Sequence, residues 1–166
     1  MPDEGVASVA GSSAADTAWL SDGQQQAWRQ LIAMLIALPA ALESDLQRST
    51  GLTMFEYMVL ANLSEAEDNA LHMSELARRA NSSLSRLSHV IGRMERKAWV
   101  RKRPSSDDRR VSEVRLTRSG MRTIVKAAPF HVAKVRELVI EPLSAAQLKH
   151  LADAASTISQ RIGATS

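Results

Sequence analysis

The 166-residue chain contains no cysteine, which excludes a disulfide framework, a thiolate metal site and a cysteine redox switch. Aromatic residues are scarce at 4%, while hydrophobic residues reach 45% and are dominated by Ala and Leu. That balance favours helices over sheets. The run from Leu31 to Leu42 falls short of the roughly 20 apolar residues of a membrane span and reads as a buried helix. Residues 1–20 are small and polar without periodicity, and no basic segment there precedes an apolar one. They predict a mobile tail and no signal peptide.

Catalytic and metal-binding patterns are missing too. The four histidines, His72, His89, His131 and His150, fall in four separate predicted elements. No His-Glu-x-x-His, Gly-x-Ser-x-Gly, Gly-rich phosphate loop or paired carboxylates occur. His150 and Asp153 share a helix face, but two ligands without others make a weak metal site. The chain reads as neither an enzyme nor a metal or cofactor protein.

Charge is what the chain does have, in one place. From Arg78 to Arg110 there are 11 Lys/Arg against 3 acids, a local +8 in a chain of net +3. The remaining residues therefore carry −5. A sign change between one segment and its surroundings suits a polyanion partner, because cations seated on phosphates release condensed counterions.

The residues of that segment give it a shape. Ser74 precedes the apolar positions Leu76, Ala77 and Ala80 and is expected to cap a short helix. Asn81, Ser82 and Ser83 form a polar break. Leu84, Leu87, Ile91 and Met94 then repeat at spacings of 3, 4 and 3, which predicts one buried stripe. The opposite face carries Ser85, Arg86, His89, Arg93 and Arg96, small near its start and cationic along its length. Such a helix fits a major groove of duplex DNA. Trp99-Val100 opens a first strand and Val111 to Leu116 forms a second, with turn residues from Pro104 to Asp108 between them. Arg101 and Arg103 on the first strand are expected to meet phosphates. Arg109 and Arg110 fall just past the turn, where a hairpin tip would carry them to a minor groove.

The run Asp108-Arg109-Arg110-Val111-Ser112-Glu113-Val114-Arg115-Leu116-Thr117 resembles the D-x-R-x-x-x-V-x-L-T wing signature of MarR-type (multiple-antibiotic-resistance regulator) transcription factors. Leu76-Ala77, the Ser-rich start of the following helix, Arg86 and Trp99-Val100 fit the same pattern. Ala98-Trp99 departs from it, since such proteins commonly carry Gly followed by Leu or a similar residue there. The resemblance covers about Leu20 to Ile162. It implies a mainly α fold with a small β-hairpin wing: a winged helix-turn-helix with six helices, the wing between the fourth and fifth, and N- and C-terminal dimerisation helices. It further implies a cytoplasmic homodimeric repressor, bound to an inverted-repeat operator in double-stranded DNA and released by a small ligand, with no membrane partner. DNA contacts are expected from Ser82, Ser83, Ser85, Arg86, His89, Arg93, Arg101, Arg103, Asp108, Arg109 and Arg110. An effector pocket between the first two helices and the fifth would draw on Trp28, Tyr57, Met58 and His131, residues that equally suit core packing.

The flanking segments carry their own patterns. Ser21 and Gln24 are spaced as a capping box before Trp28, Leu31, Leu35, Leu38 and Leu42, with Pro39 expected to kink that helix. Thr53 and Glu56 repeat the box before Tyr57, Leu60 and Leu63. Beyond Thr117 a long stripe runs from Met121 to Val139, interrupted by Pro129. Ser144 and Gln147 precede Leu148, Leu151, Ala155, Ile158 and Ile162. The division expected is a tail over 1–20 and one domain over 21–166. Within that domain, 53–117 forms the DNA-binding lobe and 21–50 with 118–162 the dimerisation helices. The long terminal stripes would otherwise close an intramolecular bundle. A sequence-indifferent architectural DNA binder and a helical protein-interaction module remain the alternative functions.

The Asp-x-Arg spacing generates a test. If Asp108 braces the Arg110 guanidinium, Asp108→Ala weakens DNA binding although it adds net positive charge, because the arginine then loses ordering entropy on docking. Affinities at two salt concentrations check this. A tighter complex at both means that Asp108 is a solvated acid.

Overall fold

The computed structural model describes residues 18–104 and 112–163. The chain divides into two compact units, residues 1–37 and 38–166. The elements in order are α1 (Asp22–Thr50), α2 (Met54–Glu65), a short 3-10 turn, β1 (Ala70–His72), α3 (Met73–Arg79), α4 (Leu84–Arg96), β2 (Val100–Pro104), β3 (Ser112–Leu116), α5 (Arg118–Val135), a π-helical turn and α6 (Ala145–Gly163). The expected tail lies outside the described residues up to residue 17.

The first unit holds the start of α1. Ser21 and Gln24 form the predicted box there: Ser21 N–H donates to Gln24 Oε1 at 2.9 Å, and Gln24 N–H to Ser21 Oγ at 3.4 Å. Trp28, Leu35 and Ile36 are exposed.

In the second unit, α1 continues through Pro39 as helix and ends at Gly51, whose φ of +73° reverses the chain. The core gathers Leu46, Leu52, Leu60, Leu63, Leu76, Leu87 and Met94, all at 1% exposure or less. Truncating any of these to Ala costs about 2–5 kcal/mol. Four corrections to the sequence reading arise here. The sheet has three antiparallel strands in the order β1-β3-β2, because Ala70–His72 pairs with Glu113–Arg115. Three residues with no alternation gave no strand signal. Ser74 is not the cap of α3; His72 stands there, and the helix starts at Met73. Val90 takes the buried place expected of Leu84, which is 54% exposed on the first turn of α4. The first strand opens at Val100 rather than Trp99.

Two helix ends use the same stop. In α3, Asn81 N–H donates to Arg78 O and Ser82 N–H to Ala77 O, with Asn81 at φ +46°. In α4, Ala98 N–H donates to Glu95 O at 2.8 Å and Trp99 N–H to Met94 O at 2.9 Å, with Ala98 at φ +56°. Both are Schellman motifs, whose left-handed residue is usually Gly or Asn. Asn81 tolerates that region through its short polar side chain; Ala98 has no such relief.

The L-T end of the wing signature has a structural reason. Thr117 caps α5: its hydroxyl accepts from Gly120 N–H at 3.0 Å and donates to the Ala98 carbonyl at 2.7 Å. Thr117 N–H donates to Trp99 O at 3.0 Å. A Cβ built on Gly120 would fall on that same Trp99 carbonyl oxygen, far inside van der Waals contact. Gly120 thus lets α5 start directly against the wing base.

Opposite outcomes follow for two Gly/Ala exchanges. Ala98→Gly relieves the left-handed conformation and raises stability by about 1 kcal/mol. Gly120→Ala forces α5 off the strand end and lowers it by about 2 kcal/mol. Urea denaturation of the two variants checks both signs.

Candidate nucleic-acid interface

Helix α4 is amphipathic. Leu87, Val90, Ile91 and Met94 are buried, while Ser85, Arg86, His89 and Arg93 are exposed on the other side. Ser83 caps its start by accepting from Arg86 N–H at 3.2 Å, leaving a small, approachable N-terminal turn. Ser82 Oγ donates to the Ser83 carbonyl. Sequence reasoning missed Leu84, which stands exposed on that first turn beside Ser83 and Ser85.

Arg86 is held in place. Its guanidinium lies 4.9 Å from the centre of the Phe55 ring, at the start of α2. Arg86, His89 and Arg93 line an open groove of about 800 Å³ with Ser83, Ser85, Val90 and residues from α2. Met54, Phe55 and Met58 supply its apolar side. Glu43 also lines it, and its carboxylate accepts from Met54 N–H at 2.7 Å.

The local charge is smaller than the window from Arg78 to Arg110 suggests. Glu75, three residues before that window opens, accepts from both Arg78 and Arg79 at 2.6–2.8 Å. These hydrogen bonds hold its carboxyl down to about 2. Lys97 is likewise engaged, its ammonium 2.9 Å from buried Glu56 and 4.3 Å from the Trp99 ring centre. Arg86, Arg93 and Arg96 on α4, and Arg101, Lys102 and Arg103 on β2, make no ion pair among the described residues. Pairing in β2 and β3 sets Arg101 opposite Arg115 and Arg103 opposite Glu113. Arg101 and Arg103 therefore share one face of the sheet, away from buried Val100 and Val114. Asp108, Arg109 and Arg110 lie outside the described residues.

Glu56 joins this interface to the core. It is 3% exposed. One oxygen accepts from Lys97 Nζ at 2.9 Å and the other from Thr53 N–H at 3.1 Å. The capping box predicted for Thr53 and Glu56 is complete. Burial pushes the Glu56 carboxyl up, but Lys97 and the Thr53 hydrogen bonds outweigh burial and bring it below the usual value of 4.5.

The comparisons with known proteins agree on one assignment. Residues 50–111 match a model described as the MarR family. AbsC, a MarR family transcriptional regulator from Streptomyces coelicolor, is 42% identical with a TM-score of 0.85, covering 89% of this chain and 99% of that one. Sco3205, a MarR family regulator from the same organism solved in complex with DNA, is 33% identical with a TM-score of 0.84, covering 87% and 94%. The chain belongs to the MarR family of transcriptional regulators. YetL, a curated transcriptional repressor of Bacillus subtilis, is 27% identical over 85 residues, 51% of each chain. The chain spans about half the length of the curated relatives it matches. Membership places it among DNA-binding transcription factors rather than enzymes.

Of the four residues proposed for a MarR-type effector pocket, the structure brings two together. Tyr57 and His131 pack with ring centres 4.4 Å apart and planes tilted by 45°. His131 Nδ1 is buried without a hydrogen-bond partner among the described residues, and burial lowers the pKa of that imidazole. Burial, and then the charge of Glu65, raises that of Tyr57. Met58 instead lines the groove beside α4, and Trp28 lies 53% exposed in the first unit. Asp153 pairs with Lys149 at 2.9 Å rather than with His150. Among the described residues no group of three metal-ligating side chains forms, and no helix is long and apolar enough to cross a membrane.

The Glu56 arrangement sets a pH-dependent stability. Its depressed pKa contributes stability that is present above the unfolded value and lost as pH falls through the folded one. Lys97→Met leaves the carboxylate buried with Thr53 as its partner and no cation beside it, and should cost about 2–3 kcal/mol near neutral pH. The cost shrinks as pH falls into the acid range, where protonation removes the unpaired charge. Equal penalties at both pH values in urea denaturation would show that the loss lies in Lys97 packing against Trp99 instead.

Proposed function

We propose that the protein is a cytoplasmic homodimeric repressor that binds an inverted-repeat operator and is released by a small amphipathic ligand. The observation that carries DNA reading is the exposed face of α4. It presents Ser83, Ser85, Arg86, His89 and Arg93 over an opposite face sealed into the core. Arg86 on this face suits a bidentate contact to guanine, and the serines suit close approach to base edges and phosphates. Arg101 and Arg103 serve as backbone contacts, while Asp108, Arg109 and Arg110 are proposed to form the minor-groove tip of the wing. Sco3205, solved with DNA, supports the partner class.

The same reading makes residues 53–117 the DNA-binding lobe, and 21–50 with 118–162 the dimerisation helices. Support comes from Phe130, Val132, Ile158 and Ile162, large apolar side chains that stand exposed on α5 and α6. A second copy would cover them and set two α4 helices at half-sites about 10 bp apart or a multiple of that. The Tyr57–His131 pair is the proposed effector contact, since the unpartnered imidazole nitrogen can meet a polar group on an aromatic ligand.

Footprinting on selected genomic sites, with sedimentation of the free protein, tests the assembly. An inverted repeat bound by a dimer is expected; a single half-site or a monomer at micromolar concentration would overturn it. Arg86→Ala should cost about 1–3 kcal/mol at the cognate site and relax preference at particular bases. An equal loss on random DNA would remove Arg86 from the reading face.

A further inference from the structure

Two electrostatic conflicts meet on the outer face of the sheet. The register sets Arg101 directly opposite Arg115, and like charges facing across an antiparallel pair destabilise it. Arg118 is the first residue of α5, whose first turn holds no acid. A cation at that end opposes the helix dipole. Arg103 lies two residues along β2 from Arg101, on the same face. These four arginines, with Ser119, line one concavity of about 420 Å³. The register sets Glu113 opposite Arg103, and Arg115 engages that acid at 3.3 Å while donating to the Asp68 carbonyl at 2.8 Å. Arg101, Arg103 and Arg118 make no ion pair among the described residues.

Packing does not require this arrangement. Val100, Val114 and Leu116 are buried and supply the apolar contacts of the sheet without it. The cations here are all arginine, with planar guanidinium forks that suit tetrahedral oxyanions better than a point-charged ammonium does. An anion between them would turn both conflicts into attractions.

We propose that the concavity lined by Arg101, Arg103, Arg115 and Arg118 is a phosphate-binding site separate from the reading face of α4. The phosphate comes either from the DNA backbone beyond the half-site or from a free phosphate compound. Only the first source rests on the DNA-binding reading. In that case the wing base widens the footprint of each subunit without adding sequence information.

The test uses the full chain and the double variant Arg101→Gln/Arg118→Gln. The control Arg122→Gln/Lys126→Gln removes the same charge from two exposed positions further along α5. Two quantities are measured for each protein: the gain in affinity when an operator duplex is extended by about 10 bp on each side, and the affinity for inorganic phosphate by calorimetry. Loss of about tenfold of the extension gain in the double variant alone assigns the site to the DNA backbone. Loss of about tenfold in phosphate affinity alone assigns it to a free phosphate compound. In either case the double variant melts higher than the parent in phosphate-free buffer, because unmatched like charges are gone. A double variant that keeps both quantities, a control that loses them equally, or a parent chain that shows neither overturns the site. Arg86→Ala on the unextended duplex reports independently on the DNA-binding reading, so the two can fail separately.

Discussion

The carboxylate of Glu56 is the point on which the reading lobe depends. It closes the cap of α2 through Thr53 and fixes Lys97, the residue that ends α4. Lys97 in turn lies over Trp99 at the root of the wing. One buried group therefore sets the start of one helix, the end of another and the base of the sheet. A charge removed from water is tolerated only if its lone pairs are matched, and both oxygens of Glu56 are. Lys97 lies 41 positions from it in sequence, so the lobe gains the match only when it closes as a whole.

Around that group the chain changes direction by backbone geometry more than by loops. Asn81 and Ala98 stop successive helices in the left-handed conformation, and Thr117 starts the next one while holding the carbonyl of Ala98. The helix-turn-helix and the wing are thus joined through hydrogen bonds at their ends. The reading face inherits that rigidity: Arg86 is set against Phe55 on α2, so a shift of α2 relative to α4 would be felt at the residue best suited to a base edge. The Tyr57–His131 pair ties the same α2 to α5, which would give the proposed effector contact a short physical path to Arg86.

Much of this was legible beforehand. Period and capping chemistry are local, so the boxes at Ser21/Gln24 and Thr53/Glu56, the amphipathic α4 and the polar turn at Asn81 could be read from residues within a few positions of one another. The wing signature, being contiguous, was equally plain. Leu84 misled because a spacing of three fits either side of a stripe, and Val90 filled the core place instead. The strand at Ala70–His72 gave no pattern because three residues are too few to alternate, and its pairing with β3 is a long-range event. The net charge of the segment was overstated because Glu56 and Glu75 stand outside it in sequence but against it in space.

The sequence by itself determined a cysteine-free, mainly helical chain with a basic amphipathic helix, an arginine-bearing hairpin and the resemblance to MarR regulators. The resemblance rests on the contiguous wing motif; the rest follows from composition and local periodicity, which any compact state of the chain must respect. Tertiary structure alone decided which cations are free, since neutralisation depends on which carboxylate lies within hydrogen-bond reach. It also decided that Arg101, Arg103, Arg115 and Arg118 share one face. Strand register and the start of α5 set that grouping, and register is fixed by the burial of Val100, Val114 and Leu116 on the opposite side.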